Sequence, residues 1–248
     1  LGVLIALIGM GAWLWSGSAQ SLAQTMQLAA RQLPAGQTLQ VEGVSGTLRD
    51  GGRIALLRWE RNGLRVEARD VVIAWVWPRL PALLRERRLE LQTLDIGQLA
   101  IVDRSPPSPQ PFLPPDDLTL PLAVDVPLKI GTLTVAGPAT LQASGIAAHY
   151  RFDGSHHMLD LAALQLADGN YQGAARLLAR APLTLDAQLR GEVSAPLPGA
   201  KQPLPLSASA TVRGPLGGAD ALLAVQAQLQ PAQAGSSTPM QATVSAHV

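Results

Sequence analysis

From Leu1 to Trp15 the chain reads LGVLIALIGMGAWLW, fifteen residues without a charge or a strongly polar group. A membrane-spanning helix needs about 20 such residues, and Trp13 and Trp15 stand where an aromatic anchor meets a membrane–water interface. A membrane anchor over residues 1–17 is therefore expected, carried by Leu4, Ile5, Leu7, Ile8, Trp13, Leu14 and Trp15. A signal peptide cleaved near Gly17-Ser18-Ala19 is the competing reading. Residues 18–36 then carry an amphipathic helix, because Leu22, Met26, Ala29 and Leu33 fall on one helical face. Pro34 and Gly36 end it.

After Gly36 the apolar positions change from helical to alternating spacing. Leu39 with Val41, Leu57 with Trp59, and Leu64 with Val66 and Ala68 are strand-like groups, and Asp50-Gly51-Gly52 and Asn62-Gly63 are turn signals. Val71 to Trp77 is apolar on both faces, which predicts a strand covered on both sides. Leu80 to Arg88 suggests a short helix, and Leu89, Leu91, Leu94, Ile96, Leu99 and Ile101 resume strand text. Eight prolines between Pro106 and Pro127 forbid central strands over most of that stretch. The resulting division is a first β module at 37–104, a proline-rich loop or boundary at 105–127, and a repetitive β segment at 128–248.

That last segment repeats itself. Pro182-Leu183-Thr184-Leu185-Asp186-Ala187-Gln188-Leu189-Arg190-Gly191 aligns without gaps on Pro205-Leu206-Ser207-Ala208-Ser209-Ala210-Thr211-Val212-Arg213-Gly214. Alternate residues are apolar in both copies, and Leu223, Val225, Ala227 and Leu229 continue the style. A recurring strand-plus-turn unit marks a repetitive β architecture. Gln172 to Ala181 has high helix propensity but is read as strand from its surroundings. The fold class expected is mainly β: an N-terminal membrane helix and a short amphipathic helix, then an elongated, curved antiparallel sheet forming a hydrophobic groove.

Composition changes this picture in one respect. Apolar residues make up 47% of the chain, yet only 4% are aromatic, and no aromatic follows Tyr171. The alternating face is thus aliphatic and chemically similar to a lipid tail, with Leu57, Trp59, Leu183, Leu185, Leu189, Leu206, Val212, Leu223, Val225 and Leu229 as candidate lining. A sheet filled by its own side chains follows from the same pattern. Charged residues make up 15%, against roughly 25% in a typical soluble domain. The net charge of +1 gives no electrostatic case for a nucleic-acid partner. The absence of cysteine removes disulfides and thiolate metal sites together.

No chemistry-bearing motif stands out. There is no Gly-x-Ser-x-Gly elbow, no phosphate-binding glycine loop and no His-Glu-x-x-His metal motif. His156-His157, beside Asp153 and Asp160, is the nearest approach to a metal-ligand cluster, but neighbouring strand residues point to opposite faces. No catalytic residue, cofactor or metal is expected. Arg79, Arg85, Arg87 and Arg88 have the forked donors that suit lipid phosphates, although a solvated loop explains them as well.

Several of these features together resemble the translocation and assembly module family typified by TamB, within the wider AsmA-like group. The resemblance is carried by the apolar anchor, the helix ending at Leu33-Pro34, and Val44-Ser45-Gly46-Thr47-Leu48. It continues through Leu56-Leu57-Arg58-Trp59, Val72-Ile73-Ala74-Trp75, Pro81-Ala82-Leu83-Leu84 leading to Arg88-Leu89-Glu90-Leu91, and Val126-Pro127-Leu128-Lys129-Ile130. It spans Leu1 to about Gly191 as a style of sequence. It implies a single-pass bacterial inner-membrane protein with its bulk in the periplasm, a β-groove that passes phospholipids toward the outer membrane, and a role in outer-membrane biogenesis. It also implies an outer-membrane partner of the BamA/TamA barrel type, reached through a region beyond Val248. A structural or assembly scaffold for outer-membrane protein insertion, with a self-filled β core, is the alternative.

Overall fold

The computed structural model describes residues 15–75, 86–105, 117–137, 140–167, 169–195, 204–216, 222–231 and 240–247. Among the described residues one helix, α1 (Ser21–Arg31), precedes twelve strands. The first five are β1 (Gln37–Thr47), β2 (Gly51–Arg61), β3 (Leu64–Trp75), β4 (Arg88–Asp103) and β5 (Ala123–Ala136). The others are β6 (Leu141–Phe152), β7 (His156–Leu166), β8 (Gly169–Leu178), β9 (Thr184–Ala195), β10 (Leu204–Pro215), β11 (Leu222–Pro231) and β12 (Met240–His247). Strand order is chain order. Among the described residues no helix is long and apolar enough to cross a membrane. Six of the seven expected anchor residues, Leu4, Ile5, Leu7, Ile8, Trp13 and Leu14, lie outside the described residues, as does most of the short helix expected at 80–88.

The chain divides into two compact units. Unit 1 comprises Leu1–Pro107 and Val126–Gln142, and unit 2 comprises Ser108–Asp125 and Ala143–Val248. β5 starts at Ala123 and takes in Pro127, so strand begins inside the stretch read as a proline-rich loop. Gln172 to Leu178 is strand, within β8; pairing along both edges with β7 and β9 overrides the local helix propensity.

Unit 1 has a filled core. Ile54, Ala68 and Val71 are buried, with Met26 of α1 and Val41, Val44, Leu57, Ile96 and Leu99 packed against them. The spacing of these residues breaks simple alternation. Val41 pairs with Leu57 and Val44 with Ile54; Leu57 pairs with Ala68 and Ile54 with Val71; Ala68 pairs with Leu99 and Val71 with Ile96. On every one of the four strands the core-facing residues on either side of this row are three apart, where a regular pleat requires an even number. The row between them holds Gly43 and Asp70, whose φ of +61° and +54° put the backbone in the left-handed region. In β1 and β3 that conformation flips the parity of the strand, so both halves bury the same face.

β3 shows the consequence. The group at Leu64–Ala68 and the apolar run beginning at Val71 are halves of one strand, and the run's described start, at Val71 and Val72, is covered unequally on its two faces. Val72 pairs with Arg53 and Asp95 and is only half-buried, whereas Val71 on the other face is buried. The polar face of unit 1 carries an ion network instead. Arg58 and Arg69 hold Glu67 at 2.8 and 2.7 Å, and their hydrogen bonds keep its carboxyl below the ordinary range.

α1 closes one end of that core. Leu22 is 1% exposed and sits over Gly52, where a Cβ would stand 2.8 Å from Leu22 Cδ2 and 2.0 Å from the Ser45 carbonyl oxygen. The Ser21 hydroxyl accepts from Leu48 N–H at 2.8 Å and donates to the Ser18 carbonyl at 2.7 Å, tying the start of the helix to the β1–β2 turn. The Trp75 indole N–H donates to Leu48 O at 2.8 Å from the β3 side. The helix is shorter than the 18–36 span expected, and its apolar face is used unevenly: Leu22 and Met26 pack inward, while Ala29 is exposed.

Candidate functional site

The repeats seen in the sequence become neighbouring strands in unit 2. Leu189 pairs with Ala210, Ala187 with Val212, and Gly191 with Ala208 across β9 and β10. The next pairing puts Val225 beside Val212 and Leu229 beside Ala208. On the other side, β8 brings Leu177 beside Leu185, Ala175 beside Ala187 and Tyr171 beside Gly191, and β7 brings Leu159 beside Ala175. Residues paired across a ladder share a face, so one aliphatic wall runs over β7–β11. Opposite it lie Asp186, Gln188, Arg190 and Glu192 on β9, and Ser207, Ser209, Thr211 and Arg213 on β10. Arg213 Nε meets Asp186 Oδ1 at 3.2 Å on that polar side.

The wall is not covered as a core would be. Leu185, Leu189, Leu206, Val212, Leu223, Val225 and Leu229 are all half-exposed, and no described side chain of β9, β10 or β11 is buried. In a packed sandwich the inward leucines and valines of both sheets interdigitate and lose their solvent contact. Small residues widen the exposed surface: Gly173, Ala175, Ala187, Gly191, Ala208 and Ala210 interrupt the bulky positions. These small members, and Tyr171, were missed as lining because only cross-strand register places them beside the leucines.

Leu183 does not belong to this wall, contrary to the expectation from the repeat. Its φ of +52° turns the chain out of line before β9 begins at Thr184, and its side chain is 0% exposed. Its repeat partner Leu206 lies within β10, beside Val193. Leu57 and Trp59 lie in unit 1. Leu57 packs against its core, and Trp59 Nε1 donates to Gln37 Oε1 at 3.2 Å.

Leu183 instead joins a closed margin of unit 2 where Phe152 and Ala179 are also buried. The segment at Asp117–Thr119 crosses this margin: Leu118 N–H donates to Ala179 O at 2.7 Å, and Asp117 bridges to Arg180. The His157 ring is committed here. Its Nε2 donates to Leu118 O at 3.1 Å, Nδ1 accepts from the Tyr150 hydroxyl at 2.8 Å, and Phe152 stacks on it at 4.6 Å. His156 Nδ1 meets Ser155 Oγ at 2.7 Å. Among the described residues no group of three or more His, Cys, Asp or Glu side chains comes together as a metal site requires. Of the four arginines considered for phosphate, Arg87 and Arg88 are exposed beside the start of β4, and Arg79 and Arg85 lie outside the described residues.

The β6–β7 turn beside this margin is held by one carboxylate. Asp153 Oδ1 accepts from Ser155 N–H at 2.8 Å and from His156 N–H at 2.7 Å. The His156 backbone bond, then the Ser155 bonds, lower its pKa from 3.8 to about 2. The folded value lies below the unfolded one, so this stabilisation is complete above the ordinary carboxylate pKa and is lost as pH falls from about 4 toward 2. Asp153→Asn keeps an acceptor without the titration. Urea unfolding followed across that pH interval should therefore fall less steeply in the variant than in the parent; identical slopes would remove Asp153 from the acid response.

A shallow concavity of about 560 Å³ lies over β7–β11 as well, lined mainly by polar-face side chains such as Gln165, Gln172, Arg190 and Gln228. An apolar ligand entering it would strip water from those amides and charges, which offsets what its burial gains. The aliphatic wall is the better candidate.

Fold and site together define a class: an antiparallel β-meander that presents an incompletely covered aliphatic face. No family model, curated protein or solved structure matches the chain.

Proposed function

We propose that this protein is an inner-membrane-anchored periplasmic β-groove protein that conducts phospholipids between the inner and outer membranes and supports outer-membrane biogenesis. The observation that carries the reading is the half-exposed aliphatic wall of β7–β11. Leaving leucine and valine side chains in water forgoes up to about 0.8 kcal/mol for each methylene that burial would cover. An acyl chain laid across the strands recovers that burial without a specific polar contact, so no catalytic group, cofactor or metal is needed. The apolar run at residues 1–15 and the family resemblance add the membrane, the compartment and an outer-membrane barrel partner of the BamA/TamA type.

A photo-crosslinking amino acid at Leu189 tests this directly. Irradiation in cells should yield a phospholipid adduct at that position and none from the same probe at Gln188, which faces the other way. Protein adducts alone at Leu189 would favour the second reading, a scaffold for outer-membrane protein assembly. The observation on that side is the core around Ile54, which unit 1 fills with its own side chains.

A further inference from the structure

We infer that the outer side of α1 docks on the surface of a lipid bilayer, with Trp15 and Leu28 entering the headgroup region. α1 packs on unit 1 through Leu22 and Met26, which leaves its opposite side uncovered among the described residues. On that side Leu28 is 55% exposed and Trp15 43% exposed. They are organised as one strip: Trp15 Nε1 donates to Gln24 Oε1 at 2.8 Å, and Gln24 precedes Leu28 by one helical turn, on the same face. The indole is thus held by its polar edge with its ring exposed, the disposition that suits the water–hydrocarbon boundary.

Two features of the sequence choose a bilayer over another occupant. The fourteen residues before Trp15 carry no charge, so the strip continues directly from an apolar segment. No acidic residue occurs before Glu42, and Arg31 in the last turn of α1 is the sole full charge on the helix. A helix with one positive and no negative charge faces anionic headgroups without repulsion. This docking rests on the proposed membrane location and not on lipid binding by the wall.

The test uses the full chain, which has no native cysteine. Single-cysteine variants Leu28→Cys, Trp13→Cys and Ser207→Cys are labelled with an environment-sensitive fluorophore and reconstituted in nanodiscs of phosphatidylethanolamine and phosphatidylglycerol. Lipids spin-labelled near the headgroup should quench the probe at position 28 by about twofold and leave position 207 unaffected. Adding Trp15→Gln should weaken the quenching at 28, with the circular dichroism of the sheet unchanged. Quenching at 13 but not at 28 overturns the docking and leaves the anchor standing. Quenching at neither overturns both. A probe at 28 that is shielded from aqueous iodide yet unquenched by lipid assigns the strip to a protein partner and overturns the proposal.

Discussion

Ile54→Ala should destabilise unit 1 by about 2–4 kcal/mol, whereas Leu189→Ala should cost unit 2 less than about 1.5 kcal/mol. Ile54 is 1% exposed and stands between Val44 and Val71 in the ladder. Truncating it removes buried methylenes and leaves a cavity that strands on both sides and α1 above are too tightly paired to refill. Leu189 has the same size and the same kind of strand position. Its neighbours Gly173 and Ala210 are small, and it is only half-buried, so much less apolar contact is lost. Tryptophan fluorescence separates the units, since all five tryptophans lie between Trp13 and Trp77 and therefore in unit 1. Urea midpoints read by that signal for Ile54→Ala, and by circular dichroism for Leu189→Ala, give the two costs. Equal losses would mean that the wall is packed as tightly as the core.

The contrast also explains what could be read from the chain beforehand. In β9, β10 and β11 the alternation is unbroken from Leu185 to Val193, from Leu206 to Val212 and from Leu223 to Leu229, so period alone assigned the face correctly. In unit 1 the same reasoning gave fragments. The parity of β1–β4 changes at the row holding Gly43 and Asp70, and a search for strict alternation stops there. Asp70 gave no warning, because an aspartate in the left-handed region is one of the few non-glycine residues that adopts it without special support. A spacing of three between apolar residues, recurring at 41/44, 54/57, 68/71 and 96/99, was the available signal. Leu183 failed for a different reason. The repeat placed it beside Leu206 in sequence, but the turn that must precede β9 consumes the position, and burial there uses the side chain as a plug. Tyr171 and the small wall residues needed the register, which no single strand carries in its own text.

Leu189→Glu combined with Val212→Glu should leave the sheet folded and lower the phospholipid recovered with the protein by at least about tenfold, equivalent to about 1.4 kcal/mol. The two positions sit near the middle of the wall, on adjacent strands, with Gly173, Ala187, Ala210 and Val225 as their ladder partners. In the unloaded sheet each carboxylate keeps its water, because the wall is half-exposed there. Under an acyl chain that water must leave, and an ionised carboxylate against hydrocarbon costs several kcal/mol before any partner is found. The penalty therefore falls on the loaded state alone. Gln188→Glu with Thr211→Glu, adding the same charge to the opposite face of the same two strands, is the matched control and should retain lipid. Lipid extraction with mass spectrometry measures the recovery, and circular dichroism reports the fold. If the wall variant unfolds, its face is an interior that the protein fills itself, and the scaffold reading takes its place. If it stays folded and keeps its lipid, the acyl chains bind elsewhere.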